Sequence, residues 1–270
     1  MDIAFEKNSQ IHLVRQQRRH WNRTIFLISL VLCIIAICSF YVGLFDAVRV
    51  AEGVPSILKL IIESIPPDFS GSGNWLKPLM DTLAMSVAGT SLAIVLSLPL
   101  ALLGARNTSP HPALYYIARG ILNGLRSIPE LIMGILFVAA VGFGALPGVL
   151  ALGLHSIGMI GKFFAEAIEH VDKGPVEAVR SAGTSQMQVV MHGVLPQVLP
   201  QMADVSVYRW EYNFRASTVM GMVGAGGIGA ELMGSLRIMQ YREVSAILLI
   251  ILLMVTLVDM LGSLLRKRFK

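Results

Sequence analysis

Between residues 200 and 223, a stretch that must cross a membrane also carries Asp204, Arg209, Glu211, Asn213 and Arg215. Ionisable groups at membrane depth cost about 2.5–3.5 kcal/mol each on insertion scales, so they face protein or water. Two chemistries suit them. Glu211 and Arg215 are spaced i,i+4 and can neutralise one another along one helix face. Alternatively Arg209, Asn213 or Arg215 lines a path for an anion, because the arginine fork matches a phosphate-like group. The spacing alone does not say which face each residue takes. Just beyond, Gly224-Ala225-Gly226-Gly227-Ile228-Gly229 fits the dinucleotide-binding pattern G-x-G-x-x-G letter for letter. That pattern needs a strand before it and a helix after it, whereas here it follows a membrane helix. Gly226 and Gly227 are better suited to close helix approach or to exposed backbone near the outer mouth of a pathway.

The second chemically pointed stretch is polar: Lys173 to Pro196, KGPVEAVRSAGTSQMQVVMHGVLP. Pro175 suits the first position of a new helix. Glu177 then falls in the first turn, where the helix dipole favours a carboxylate, and Gly183 stops the helix as a C′ glycine does. A second amphipathic piece, Met187 to Met191, leads to Leu195-Pro196. The expectation is two short helices hinged at Gly183, a rigid plug for a groove on a soluble partner. The plainer reading is a polar loop with a helix inside it.

The rest of the chain places these two stretches. With 270 residues, 54% hydrophobic, 14% charged, and a mean hydropathy of +0.67, it is an all-α polytopic membrane protein rather than a soluble domain. Cys33 and Cys38 share one apolar run and form neither a disulfide framework nor a metal site. The six histidines show no ligand spacing. There is no G-x-x-x-x-G-K-[ST], so the chain binds no ATP by a P-loop, and no Ser/His/Asp constellation, so it is not expected to be an enzyme.

Residues 1–23 form a basic arm with Lys7, Arg15, Arg18, Arg19 and Arg23. Thr24 to Phe45 follows without a charge, long enough to span and too long for the apolar core of a cleaved secretory signal. The arm sets orientation and is placed to meet anionic lipid. Residues 46–80 read as an external segment with an interfacial helix at 56–65, stopped by Pro66-Pro67. A second span runs from about Thr82 to Gly104, with Pro99 inside it. The region from Glu130 to Ile168 is long enough for a hairpin of two spans turning at 142–148, and Val244 to Leu265 is the last span. The basic tail at 266–270 belongs to the cytoplasm, so one crossing must lie at 200–223. The count is six spans with both termini cytoplasmic, and most of the 22 Lys and Arg fall on cytoplasmic segments.

The polar stretch resembles the EAA loop of binding-protein-dependent ABC importers: Glu-Ala-Ala, three residues, Gly, nine residues, Ile, one residue, Leu-Pro. Glu177, Ala178, Gly183, Leu195 and Pro196 are in register, while Val179 stands for Ala and Gly193 for Ile. Further segments, Pro66-Pro67-Asp68, Asp81-Thr82-Leu83, Arg126 to Leu131, His155 to Gly158, Asp172 to Pro175 and Val223 to Gly229, resemble the phosphonate-import permeases over about residues 60 to 265. The resemblance implies a methionine-importer-like permease with a five-helix core (81–265) and one leading helix (24–45). It implies a bacterial inner-membrane homodimer serving two cytoplasmic ATPase subunits, which use ATP and Mg, and a periplasmic phosphonate-binding protein, with no cofactor on this chain and no nucleic-acid partner. Glu177, Ala178, Gly183, Leu195 and Pro196 would couple to the ATPase. Arg209, Glu211, Asn213, Arg215, Gly226 and Gly227 are the pathway candidates. Phosphate, phosphite or an amino acid are alternative cargoes. An integral-membrane lipid-phosphate enzyme is the alternative of another class, but the His, Asp and Glu cluster it needs at one membrane surface is missing from the sequence.

Overall fold

The computed structural model describes residues 2–268; side chains are described for Gln17, for 21–49 and for 51–268. The side chains of Lys7, Arg15, Arg18 and Arg19, and tail residues Phe269 and Lys270, lie outside the described set. The described chain is helical. It divides after Ile62 into two compact units.

In the first unit, α1 (Asp2–Tyr41) is one helix through both the basic arm and the leading span, so the expected boundary at Thr24 is compositional only. The helix ends at Tyr41, short of Phe45, in a turn where Gly43 takes φ +78°. Asp46 then accepts from the backbone N–H of Val48 and Arg49 and starts α2 (Ala47–Glu63), which is longer than the interfacial helix expected at 56–65.

The second unit begins with α3 (Ser72–Leu103), which starts ten residues before the expected Thr82 and contains both Pro78 and Pro99. The Thr82 hydroxyl donates to the Pro78 carbonyl at 2.9 Å. The axis of the core is α3 against α6 (Ala145–Glu169), and small residues set their approach. A Cβ on Gly89 would meet Leu152 Cβ at 3.2 Å, and on another side of α6 one on Gly158 would meet the backbone of Leu122 and Arg126 at 2.7 Å. Ser97 donates to the Ile157 carbonyl across the α3–α6 seam at 3.2 Å.

The hairpin expected from Glu130 to Ile168 is only half regular. Its second arm, α6, has 25 residues. Its first, α5 (Glu130–Val141), has 12, or about 18 Å at 1.5 Å per residue, against a hydrocarbon core of about 30 Å. Ahead of it α4 (Pro112–Ser127) meets α5 at 87°, and the two pass together as one bent pair by length and composition. Pro129 explains the corner: the residue before a proline is driven out of helical conformation, and Ile128 is extended at φ −86°, ψ 122°.

After α6 come α7 (Lys173–Ser181) and α8 (Gln186–Val189), then a π-helical turn, Val190–Val194, leading into α9 (Leu195–Met220). A second π-turn, Gly221–Ala225, precedes α10 (Ile228–Arg237), and α11 (Tyr241–Lys267) closes the chain. Among the described residues, four helices are long and apolar enough to cross a membrane. Two bent pairs, α4 with α5 and 186–225 with α10, pass the same test together, giving up to six spans.

Candidate functional site

The segment at 173–196 is a platform with an exposed outer face. Asp172, not Pro175, sets its start: the Asp172 carboxylate accepts from Gly174 N–H at 3.0 Å, so Pro175 falls third in α7 and Glu177 in the second turn. Gly183 takes φ +72° one residue past the cap, and its N–H donates to the Arg180 carbonyl at 3.1 Å. Ser185 and Gln188 then form a reciprocal capping box that opens α8. The second helix is therefore not a free-standing piece, since it runs through the π-turn and past Leu195-Pro196 into α9. Glu177, Ala178, Gly183 and Pro196 are exposed, Leu195 is half-buried, and Met187 is 66% exposed.

The inner face is fixed. Gln197 accepts from Asp172 N–H and donates to the carbonyls of Asp172 and Gly193, tying the start of α7 to α9. Gly193, where the EAA pattern has Ile, lies under α7: a Cβ there would stand 3.2 Å from Val176 Cα. A cavity of about 210 Å³ remains beneath the platform, edged by Glu169, Lys173, Glu177 and Arg180.

Farther along α9, the charged residues separate by face. Arg209 and Asn213 turn inward. Arg209 Nε donates to Ser156 Oγ (2.9 Å), Ser156 Oγ to Asn213 Oδ1 (3.1 Å), Asn213 Nδ2 to Thr90 Oγ1 (2.8 Å), and Thr90 to the Ser86 carbonyl (2.7 Å). This chain of bonds joins α9, α6 and α3 and satisfies buried polar groups that apolar neighbours could not. The Arg209 guanidinium also lies over the Tyr212 ring at 4.2 Å and faces Glu130 Oε2 at 3.7 Å. Tyr212 donates to Glu130 Oε1 at 2.9 Å, and His155 Nδ1 donates to the Ile128 carbonyl at 3.1 Å, leaving its Nε2 3.8 Å from Glu130.

Glu211 and Arg215 turn the other way, and their expected i,i+4 pair does not form. Arg266 reaches from the end of α11 to Glu211 at 2.6 Å, and Arg215 grips Asp259 of α11 with contacts of 2.9 and 3.2 Å. Glu211 and Arg215 each find a charged partner on α11 instead of one along their own helix. Asp204 stands 4.0 Å from Arg266 at the edge of the same group. Asp259 also shows that the last span is not free of charge.

The glycine stretch is a sharp turn, with a bend of 57° between the helices on either side. Gly224, Gly226 and Gly227 have φ of +106°, +74° and +72°. A Cβ on Gly227 would lie 2.9 Å from Met85 Cε, and one on Gly221 2.8 Å from Gly229 Cα, so backbone passes backbone with nothing between. Ile228 N–H donates to Thr82 Oγ1 at 2.9 Å, fixing the turn to α3. Gly226 has more room and adjoins the α5–α6 turn, where Gly144 N–H donates to the Gly224 carbonyl. Between α2 and α3, Ser70 N–H donates to Asp68 at 2.8 Å and holds that carboxylate below its ordinary range.

Glu130, His155, Ser156, Thr90 and Tyr212 were not singled out for roles from the sequence. Their signal was available: an acid and a histidine inside an otherwise apolar stretch need partners, and Arg209 was the unpaired cation of the neighbouring span.

A helical core built on a broken span, a polar seam at mid-depth and an exposed two-helix platform define a multi-pass transport subunit. The chain belongs to the family of binding-protein-dependent transport system inner membrane components, whose model matches residues 74–270. It is therefore a non-catalytic permease subunit of the inner membrane. It is 65% identical over 267 residues, 99% of this chain and 97% of the other, to the phosphite transport system permease protein PtxC of Stutzerimonas stutzeri. It is 38% identical, over 94% of this chain and 88% of the other, to HtxC of the same organism, a putative phosphite transport system permease protein. In fold it matches an inward-facing MetNI methionine ABC transporter chain at TM-score 0.63 and 23% identity, covering 73% of this chain and 96% of that one.

Proposed function

We propose that this chain is the permease subunit of an ATP-driven importer of small phosphorus oxyanions, with phosphite as first cargo and phosphonates and phosphate as further candidates. The full-length similarity to a phosphite permease carries the cargo assignment. Phosphite therefore stands ahead of the phosphonate that the sequence resemblance suggests. Arg209, a cation deep within the helices, supports an anionic cargo.

In this reading two copies form the pathway, two cytoplasmic ATPases bind and hydrolyse ATP with Mg, and a periplasmic binding protein delivers the anion. Both termini are cytoplasmic. Glu177, Ala178 and Gly183 present the docking surface, and the helix through Leu195-Pro196 carries its displacement into α9. That continuity supports direct coupling, because a rigid helix transmits a push that a loop would absorb. Of the pathway candidates, Arg209 is the one aimed at cargo. Asn213 braces it through Ser156. Glu211 and Arg215 tie α9 to α11, and Gly226 and Gly227 shape the outer turn. The alternating-access cycle follows: ATP closes the ATPase dimer, the platforms move, and the pathway opens toward the loaded binding protein.

The test is uptake of labelled phosphite by proteoliposomes holding the permease, its ATPase and its binding protein, with and without internal ATP. ATP-dependent accumulation competed by phosphonates is expected. Binding-protein-stimulated ATP hydrolysis without phosphite accumulation would reassign the cargo and keep the permease.

A further inference from the structure

The Arg209–Glu130 pair differs from the other ion pairs of α9. Arg215 Nη1 donates to both carboxylate oxygens of Asp259, at 2.9 and 3.2 Å. Arg209 Nη2 and Glu130 Oε2 instead stop 3.7 Å apart, beyond hydrogen-bond reach, and both are buried atoms without a hydrogen-bond partner. A guanidinium and a carboxylate in contact ordinarily close into parallel bonds, and here each is held elsewhere. Arg209 is fixed by Ser156 and the Tyr212 ring, and Glu130 by the Tyr212 hydroxyl through its other oxygen. The cation is thus oriented without needing Glu130, and the carboxylate is left with one exchangeable oxygen.

Position adds two observations. Glu130 opens α5, so the N–H groups of Glu130 and Leu131 have no intrahelical acceptor and carry the positive end of its dipole, while those of Ile132 and Met133 donate to the Pro129 carbonyl. Eleven residues separate Glu130 from the end of α5 at Val141, and ten separate His155 from the start of α6 at Ala145. At 1.5 Å per residue both lie about 15–17 Å from the α5–α6 turn, near the middle of a core about 30 Å thick. Arg209 itself has 6% of its side chain exposed. A half-helix N-terminus facing a buried cation at mid-depth is an arrangement that favours an anion.

We propose that Arg209, His155 and the N-terminus of α5 form an intramembrane transfer site for a small oxyanion, with Glu130 as the built-in counter-anion that the cargo displaces. The identity of that anion as a phosphorus oxyanion rests on the function proposed above. Arg209 Nη2 and the amides of Glu130 and Leu131 donate to the anion. His155, whose Nδ1–H is committed to Ile128, offers Nε2 when neutral as an acceptor for the P–OH of a singly protonated species. Glu130 returns to Arg209 when the anion leaves, so the cation is never left without a counter-charge in the membrane.

The experiment is calorimetric titration of inorganic phosphite into the intact permease–ATPase complex in nanodiscs, without binding protein. Glu130→Gln removes the competitor, and phosphite binding is expected to tighten about tenfold; Arg209→Gln is expected to abolish it. Tyr212→Phe keeps the ring under Arg209 but releases Glu130 to close on the guanidinium, so a loss of about threefold is expected. The isosteric Tyr212 variant decides the matter if Glu130→Gln does not assemble. Binding that is the same in wild type, Tyr212→Phe and Arg209→Gln would overturn the site. The same variant pattern with acetate, and none with phosphite, would uphold the exchange site and remove the phosphorus cargo.

Discussion

Glu211 and Arg266 meet at unequal depth, and that inequality predicts how each tolerates loss. The Glu211 side chain is 6% exposed, whereas Arg266 is 25% exposed at the end of α11, with a long stem that can carry its head to water. Removing Arg266 strands a buried carboxylate; neutralising Glu211 releases an arginine that can leave. Arg266→Ala is therefore expected to destabilise the assembled subunit by roughly 3 kcal/mol, the low end for breaking a buried pair, and Glu211→Gln by much less. The double variant should resemble Glu211→Gln. Thermal unfolding of the purified complex measures this, and equal losses from the two single variants would refute the asymmetry. The sequence exposed these charges and their cost but not their directions. A register of four along one helix does not say which neighbouring helix supplies a better partner, and Asp259 and Arg266 lie over forty residues away in the chain.

At the scale of elements, the platform shows what local chemistry decides and what packing decides. The turn at Gly183 was legible because only a residue at ease with positive φ closes a helix that way. The start of α7 was misplaced because Asp172 outranks a proline as a start signal, and Pro175 loses nothing at the third position, where the backbone N–H has no acceptor anyway. The α4–α5 corner was hidden in a stretch whose composition reads as continuous span. Pro129 was its visible mark, and Gly193, packed under Val176, accounts for one departure from the EAA pattern.

Gly183 itself has nothing within 4 Å of where a Cβ would stand, so its requirement is conformational, not steric. Gly183→Asn should then retain most transport, since asparagine adopts the left-handed region at modest cost. Gly183→Pro fixes φ near −65° and removes the N–H that bonds to Arg180. It is expected to abolish uptake at unchanged membrane abundance. Normal uptake by the proline variant would sink the docking role of this turn.

For the molecule as a whole, composition and charge placement predicted six spans, and the described residues supply four helices long and apolar enough to cross and two bent pairs that pass together. Hydropathy measures only how much apolar chain is present. It does not register that α5 is too short to cross alone, or that α9 crosses while holding four charged side chains. The proposed orientation makes opposite demands on two exposed residues. Phe143, 87% exposed in the α5–α6 turn, belongs to the outer side, and Met187, 66% exposed on the platform, to the cytoplasm. With Cys33 and Cys38 replaced by serine, a single cysteine at 143 should react with a membrane-impermeant maleimide on spheroplasts. One at 187 should react only after the membrane is opened. Because α6 spans between the two positions, reversed labelling would invert the core and put the proposed docking platform out of reach of a cytoplasmic ATPase. The excess of Lys and Arg on the platform side argues for the stated orientation, since those residues resist translocation while the acids contribute little.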